Sequence, residues 1–205
     1  MSILALTSNT LTSPAAAGQI EYTSPIFAAT PIGTQRGIVP TQQYYRLDAA
    51  LAGANATGAQ SIFGVGVTLS ASTVYEFEMV MDLSKTAGTT SHTISMGFGG
   101  TATVNNIGYV SFNNGNSSFG VSTGVVSGFI NTASATVASP AITGATINQY
   151  FVLKGTVSIN AGGTFIPQYT LSAAPGGAYS TVAGSYIRIN PLSASGAATN
   201  VGTWA

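Results

Sequence analysis

Few side chains in this sequence could do chemistry, so each can be weighed by name. His92 is the single histidine and follows Thr89-Thr90-Ser91 at the start of a predicted strand. As a general base it would need an activated serine and a carboxylate beside it, and no G-x-S-x-G turn accompanies it. An exposed or turn-bonded histidine is the simpler reading. Glu76 and Glu78 are the close acidic pair. Two apart on a strand, they share a face at about 7 Å, inside the ~5–9.5 Å span of glycosidase carboxyl pairs. Such pairs face each other across a cleft, whereas these project side by side. The expectation is that they are solvated or matched by Lys154 or Arg188 on neighbouring strands, and no catalytic residue is assigned. No Asp-rich loop offers the ~6–8 oxygens calcium takes. One His without any Cys is too little for zinc, so no metal or cofactor is expected. Gly97-Phe98-Gly99-Gly100 lacks the Lys-Ser/Thr ending of a phosphate loop and reads as close backbone packing or a strand kink. Tyr44-Tyr45 precedes Arg46. Adjacent strand residues point to opposite faces, so at most one of the two tyrosines enters the core, and core or interface use is preferred to glycan stacking. Trp204 is expected to be buried and to pin the last strand.

The elements that must position these residues are constrained by composition. The chain has 205 residues and 20.6 kDa. Gly, Ala, Ser and Thr make up roughly half of it, well above ordinary globular usage. Charged residues are 5%, against ~25% in a typical soluble domain, and the net charge is zero. The five basic residues, Arg36, Arg46, Lys85, Lys154 and Arg188, are scattered, which excludes the basic stripe of a nucleic-acid binder. No run approaches the ~18 apolar residues of a membrane helix. Absence of Cys excludes disulfides and thiol chemistry. Met1-Ser2-Ile3-Leu4-Ala5-Leu6 lacks the basic start and long apolar stretch of a signal peptide, so export by that route is not expected. With so few charges, solubility rests on a Ser/Thr/Asn surface or on burial in an assembly.

Pro14, Pro25, Pro31 and Pro40 fall in the first 40 residues, half of the chain's 8 prolines. Proline fixes φ and removes a donor, which argues against a long helix or a central strand there. Residues 1–40 therefore read as an extended docking arm, anchored by side chains such as Ile20, Tyr22 and Phe27. Beyond Gln42 the pattern has period two. Tyr75, Phe77, Met79 and Met81 oppose Glu76, Glu78 and Asp82. Ile94, Met96 and Phe98 form another set, as do Phe151, Leu153, Val157 and Ile159, then Tyr169 and Leu171, then Ile187 and Ile189. Such alternation marks half-buried antiparallel strands. Turn formers separate them at Gly53-Ala54-Asn55, Ala87-Gly88, Asn113-Asn114-Gly115-Asn116, Asn160-Ala161-Gly162-Gly163 and Pro175-Gly176-Gly177. The fourth of these is expected to close a hairpin. Leu47–Ala59 is the best helical candidate, weakened by Gly53 and Gly58. The expected fold is all-β, an antiparallel jelly-roll-like sandwich over residues 41–205 behind the Pro-rich arm.

Longer phrases carry a resemblance. GTQRGIVPTQQYYRLDAALAGANATGAQSIFGVGVTLSASTVYEFE (33–78), LSKTAGTTSHTISMGFGGTAT (Leu83–Thr103) and AGSYIRINPL (Ala183–Leu192) resemble a module of tail-fibre-like surface proteins of marine and cyanobacterial tailed phages. Gly18-Gln19-Ile20-Glu21-Tyr22 is similar to the start of that module, although Thr23-Ser24 stands where family members carry Asp-Gly. The resemblance implies a non-enzymatic structural protein of the virion, assembled in the host cytoplasm, with other virion proteins of capsid or tail as partners. Without a preceding shaft, capsid decoration docked through the arm is expected. The alternative is a tail-fibre or distal receptor-binding module touching a host-surface glycan. A homotrimer is expected, with neither nucleic acid nor membrane as partner.

Overall fold

The computed structural model describes residues 5–115, 125–196, 198 and 200–204, with backbone alone for 125–127. In chain order the strands are β1 (Ile20–Thr23), β2 (Ile26–Ala29), β3 (Gly37–Val39), β4 (Gln43–Arg46), β5 (Leu51–Ala52), β6 (Gln60–Ser61), β7 (Val67–Leu69) and β8 (Thr73–Lys85). They continue with β9 (Ile94–Gly99), β10 (Thr103–Gly115), β11 (Val125–Ile130), β12 (Thr136–Val137), β13 (Ile147–Ala161), β14 (Gly163–Leu171), β15 (Ser180–Thr181) and β16 (Tyr186–Ala194). No helix occurs among the described residues, Leu47–Ala59 included.

Two antiparallel sheets pack face to face as a β-sandwich. The larger runs β11-β10-β13-β8 and then forks. One half of β8 pairs with β16, which carries β4, and the other half pairs with β15, which carries β5. The smaller runs β12-β9-β14-β6, with β7 also on β14. The alternation read from the sequence supplies the core. Tyr75, Phe77, Met79, Met81 and Leu83 of β8 point inward with Phe151, Leu153, Val157 and Ile159 of β13. They meet Ile94 and Met96 of β9 and Phe165, Tyr169 and Leu171 of β14. An aromatic knot joins the layers. Phe98 stacks on Phe165 at 4.7 Å and meets Phe77 and Tyr109 edge-on at 5.3 Å. Such pairs add about 0.5–1.5 kcal/mol each beyond area burial.

Three expectations are revised by the structure. The Pro-rich segment is not extended throughout, because residues 20–39 fold into a three-stranded sheet of their own, β1-β2-β3. The prolines sit between the strands: Pro25 precedes β2, Pro31 follows its buried neighbour Thr30, and Pro40 follows β3. They punctuate short strands instead of preventing them, so β2, free of proline, is central. Next, Asn160–Gly163 closes no hairpin. β13 pairs with β8 and β10, whereas β14 pairs with β9, β6 and β7, so the chain crosses from one sheet to the other there. Gly162 fits that corner because a Cβ would lie 2.9 Å from the Leu69 carbonyl oxygen. Last, Asn113, Asn114 and Gly115 are the end of β10, not a turn. Asn116 lies outside the described residues, as do Ile3 and Leu4.

Candidate functional site

The acidic pair comes first. Glu78 is bracketed by its two cross-strand neighbours, Lys154 and Arg188. Arg188 Nη2 donates to Glu78 Oε2 at 2.8 Å, Lys154 Nζ stands 4.0 Å from the same oxygen, and Tyr186 Oη donates to Oε1 at 3.0 Å. The Arg188 guanidinium holds the Glu78 carboxyl below its ordinary range. That matches the pairing expected from sequence. Glu76 and Glu78 border a 200 Å3 hollow with Pro40 and Arg188, on the outer face of the sheet.

His92 is turn-bonded, as expected, but buried instead of exposed. Its Nδ1 lies 2.7 Å from the Thr90 carbonyl, which can only accept, so Nδ1 carries the proton. Nε2 then accepts from Tyr179 Oη at 2.8 Å. Burial lowers the His92 pKa, and Lys85 adds to the effect. Lys85 is the residue the sequence reading missed. It is buried at the end of β8 and donates to the carbonyls of Gly88 (2.7 Å), Ala87 (3.2 Å), Ala145 (3.3 Å) and Gly144. Its ammonium also lies 5.9 Å from the Tyr179 ring centre. This cluster ties three loops together. Two of its acceptors lie in the adjoining turn, 2 and 3 positions on, but the two that complete the cluster are backbone atoms 59 and 60 positions away, which sequence spacing does not reveal.

Two surfaces do face outward with apolar character. One is a cleft of about 320 Å3 on the open side of the sandwich, between edge strands β4 and β7. Tyr44, Tyr45, Phe63, Val65 and Ile187 line it, and tyrosines are its only ionisable side chains. Both Tyr44 and Tyr45 are exposed, so neither enters the core. Tyr44 stacks on Tyr186 at 5.5 Å and Tyr45 meets Phe63 edge-on at 6.0 Å.

The other is the outer face of the large sheet. On β10 the polar and apolar faces are inverted. Ser111 and Asn113 point into the core at 4% and 0% exposure, while Val110 and Phe112 stand outside at 50% and 41%. The cause is a bulge. Val104 pairs with Ile159 and Asn106 with Ser158, leaving Asn105 without a register partner. One extra residue flips every later side chain to the other face. Val104 and Ile107 therefore both pack on the core, and Val110 and Phe112 are turned out. Phe129, Tyr150 and Val152 join them as exposed apolar side chains.

The remaining expected anchors are dispersed. Tyr22 and Phe27 stack on each other at 4.6 Å across β1 and β2, both half-buried, while Ile20 is exposed. Trp204 is 79% exposed and donates only to the nearby Val201 carbonyl, so it pins no strand. Gly97 and Gly99 are packed tightly, as expected: a Cβ on Gly97 would lie 3.0 Å from the Ala135 amide. Among the described residues no three His, Asp or Glu side chains gather as metal ligands, and no helix is long and apolar enough to cross a membrane.

Set against models of known protein families, the chain matches none, and no curated protein matches it. Among solved structures it is similar to a chain described as "Structure of infectious bursal disease virus Gx strain", at 8% identity and a TM-score of 0.19. That likeness covers 87% of this chain and 44% of the other. At such a score it carries no argument about fold or function.

Proposed function

We propose that this chain is a non-enzymatic structural protein of a tailed-phage virion, a capsid decoration docked through residues 1–40. The observation that carries the reading is the separate small sheet before the sandwich. It is held together internally: Arg36 Nη2 lies 2.8 Å from Glu21 Oε2, and Thr12 donates to the same carboxylate. Its buried face, Ile26 and Ala28 of β2, lies on the strand that meets β16. Ile20, Ile32 and Val39 are left exposed on a unit with little charge, which suits a strap that covers them on a partner. The phrases shared with phage surface proteins support the same reading. So does the way most of the chain's scarce charges are spent on internal pairs.

A tail-fibre or receptor-binding module is the second reading. The cleft beside Tyr44 and Tyr45 favours it, since exposed tyrosine rings over an uncharged hollow suit a neutral sugar.

Quantitative mass spectrometry of purified particles separates the two. Decoration predicts tens to hundreds of copies per particle, and a fibre predicts a handful. Deleting residues 1–39 should leave the sandwich folded by far-UV circular dichroism and abolish incorporation. Wild-type occupancy by the truncated chain would place docking in the sandwich, and absence of the protein from particles would refute both readings.

A further inference from the structure

The outer face of the large sheet carries a pattern that fits a second copy of the same chain. In an antiparallel sheet with one packed face, the other face is ordinarily polar. Here the Asn105 bulge turns Val110 and Phe112 outward at the expense of burying Ser111 and Asn113. Phe112 pairs with Val152, Val152 with Val80, and Val80 with Tyr186, so an apolar row crosses the four strands β10, β13, β8 and β16. Alternation places all four side chains on the outer face.

The charges flanking this row are arranged diagonally. Two residues along from Val152 on one side is Lys154, paired with Glu78. Two residues along on the other side is Tyr150, paired with Asp82. Lys154 and Asp82 therefore occupy opposite corners about the Val152–Val80 pair. Neither has a counter-charge to itself within the chain. Glu78 is already held by Arg188 and Tyr186, and the ammonium of Lys154, whose side chain is 60% exposed, reaches it only at 4.0 Å. Asp82 has no cation within 4.0 Å, although all five basic residues are described. Its carboxylate accepts a hydrogen bond from the Gln149 backbone N–H, and burial pushes its carboxyl up to about 6.

We propose that two copies of this chain pack through this face about a two-fold axis through the Val152–Val80 pair, each Lys154 meeting the partner copy's Asp82. An axis lying in the interface, perpendicular to the Lys154–Asp82 diagonal, makes both contacts at once. Because the diagonal is steeper than the cross-strand direction, that axis inclines the two sets of strands, and aligned sheets pack at about 30°. Self-complementarity of this kind is what an isologous contact requires. A net charge of zero leaves no long-range repulsion to oppose it. The three-fold ring expected from the sequence is a different arrangement, since its contacts are heterologous. The pairing does not depend on where the chain sits in a virion.

Sedimentation equilibrium of the full chain at about 50 µM tests it, at the ~0.15 M salt where exposed charges still interact. The expected mass is twice 20.6 kDa. Lys154→Glu alone and Asp82→Lys alone each place like charges in both contacts and should weaken the pair at least tenfold. Mixed in equal amounts, the two variants should associate again, because each contact in the mixed pair then joins opposite charges. Should either variant lose its far-UV spectrum, Phe112→Ser removes an exposed ring from the same row and must also release monomer. A wild-type mass of 20.6 kDa or three times that value overturns the proposal, as does a mass unmoved by the variants or a mixture that stays monomeric.

Discussion

At the scale of single residues, the scarce charges are structural fasteners. Lys85 holds backbone carbonyls of two loops with no carboxylate nearby. Replacing it with Met fills the volume but leaves those acceptors dry. Hydrogen bonds to a charged group contribute about 1.5–3 kcal/mol each, and unmet buried acceptors cost a similar amount. Lys85→Met should therefore lower stability by on the order of 3 kcal/mol, or a Tm drop of about 6–12 °C for a chain of this size. A thermal melt that shifts by under about 2 °C would show that water replaces the ammonium freely. His92 makes a pH prediction. Its folded pKa lies below the ordinary 6.5 because of burial. Below that pH the unfolded chain takes up a proton that the folded chain refuses, so stability falls as pH drops from about 6.5 toward the folded value. Asp82 works in the opposite sense, since its raised pKa makes the folded form the better proton acceptor between about 6 and 4. The informative quantity is thus the difference between wild type and His92→Gln in urea melts at pH 7 and pH 5. From pH 7 to pH 5 the variant should lose less stability than wild type, or gain some, because only the Asp82 contribution is left, and equal changes in the two would exclude a His92 contribution.

At the scale of elements, one inserted residue decides which half of β10 is core. Deleting Asn105 would restore simple pairing with β13 and rotate the remainder of the strand by one position. Ile107 and Tyr109 would swing out, and Val110 and Phe112 would swing in against a core shaped for other side chains. Loss of two buried large residues with overpacking at the next two exceeds about 4 kcal/mol, the range reserved for severe lesions. The expected outcome is a chain without a near-UV spectrum or cooperative melt. A cooperative melt near the wild-type Tm would mean that β10 slides freely along β13. The same element shows how far local pattern reaches. Tyr75, Phe77, Met79 and Met81 could be assigned to the core from alternation alone, because β8 keeps an unbroken register with β13. β10 could not, because its alternation is broken by a bulge whose existence depends on the partner strand.

At the scale of the whole molecule, the sandwich is closed by its last long strand. β16 pairs with β8 along its length and carries β4 on its other edge, so residues 43–46 are held by residues 186–189. Ending the chain at Gly184 removes buried Ile187 and Ile189 and strands β4. Each of these side chains is worth roughly 1.5–3 kcal/mol by burial, and the lost ladder adds to that, against a total stability of about 5–15 kcal/mol. That truncation should be insoluble or unfolded by circular dichroism. Ending the chain at Ser195 should leave it folded, since Trp204 buries nothing of consequence. A folded chain ending at Gly184 would mean that β4 and β16 are an appendage.

What the sequence determined by itself is whatever depends on near neighbours. Period-two alternation decided the all-β class and the inward sets of β8, β13, β14 and β16. The scarcity of charge narrowed the partners of Glu78 to Lys154 and Arg188, and both stand beside it. Tertiary structure alone decided the rest. The corner at Gly162, the bulge at Asn105 and the burial of Lys85 with His92 all depend on which distant strand or loop a segment meets. The proline-bounded sheet of residues 20–39 and the exposed Trp204 belong with them: side-chain type at a position states a preference for burial, but only the arrangement of the other elements determines whether anything is there to cover it.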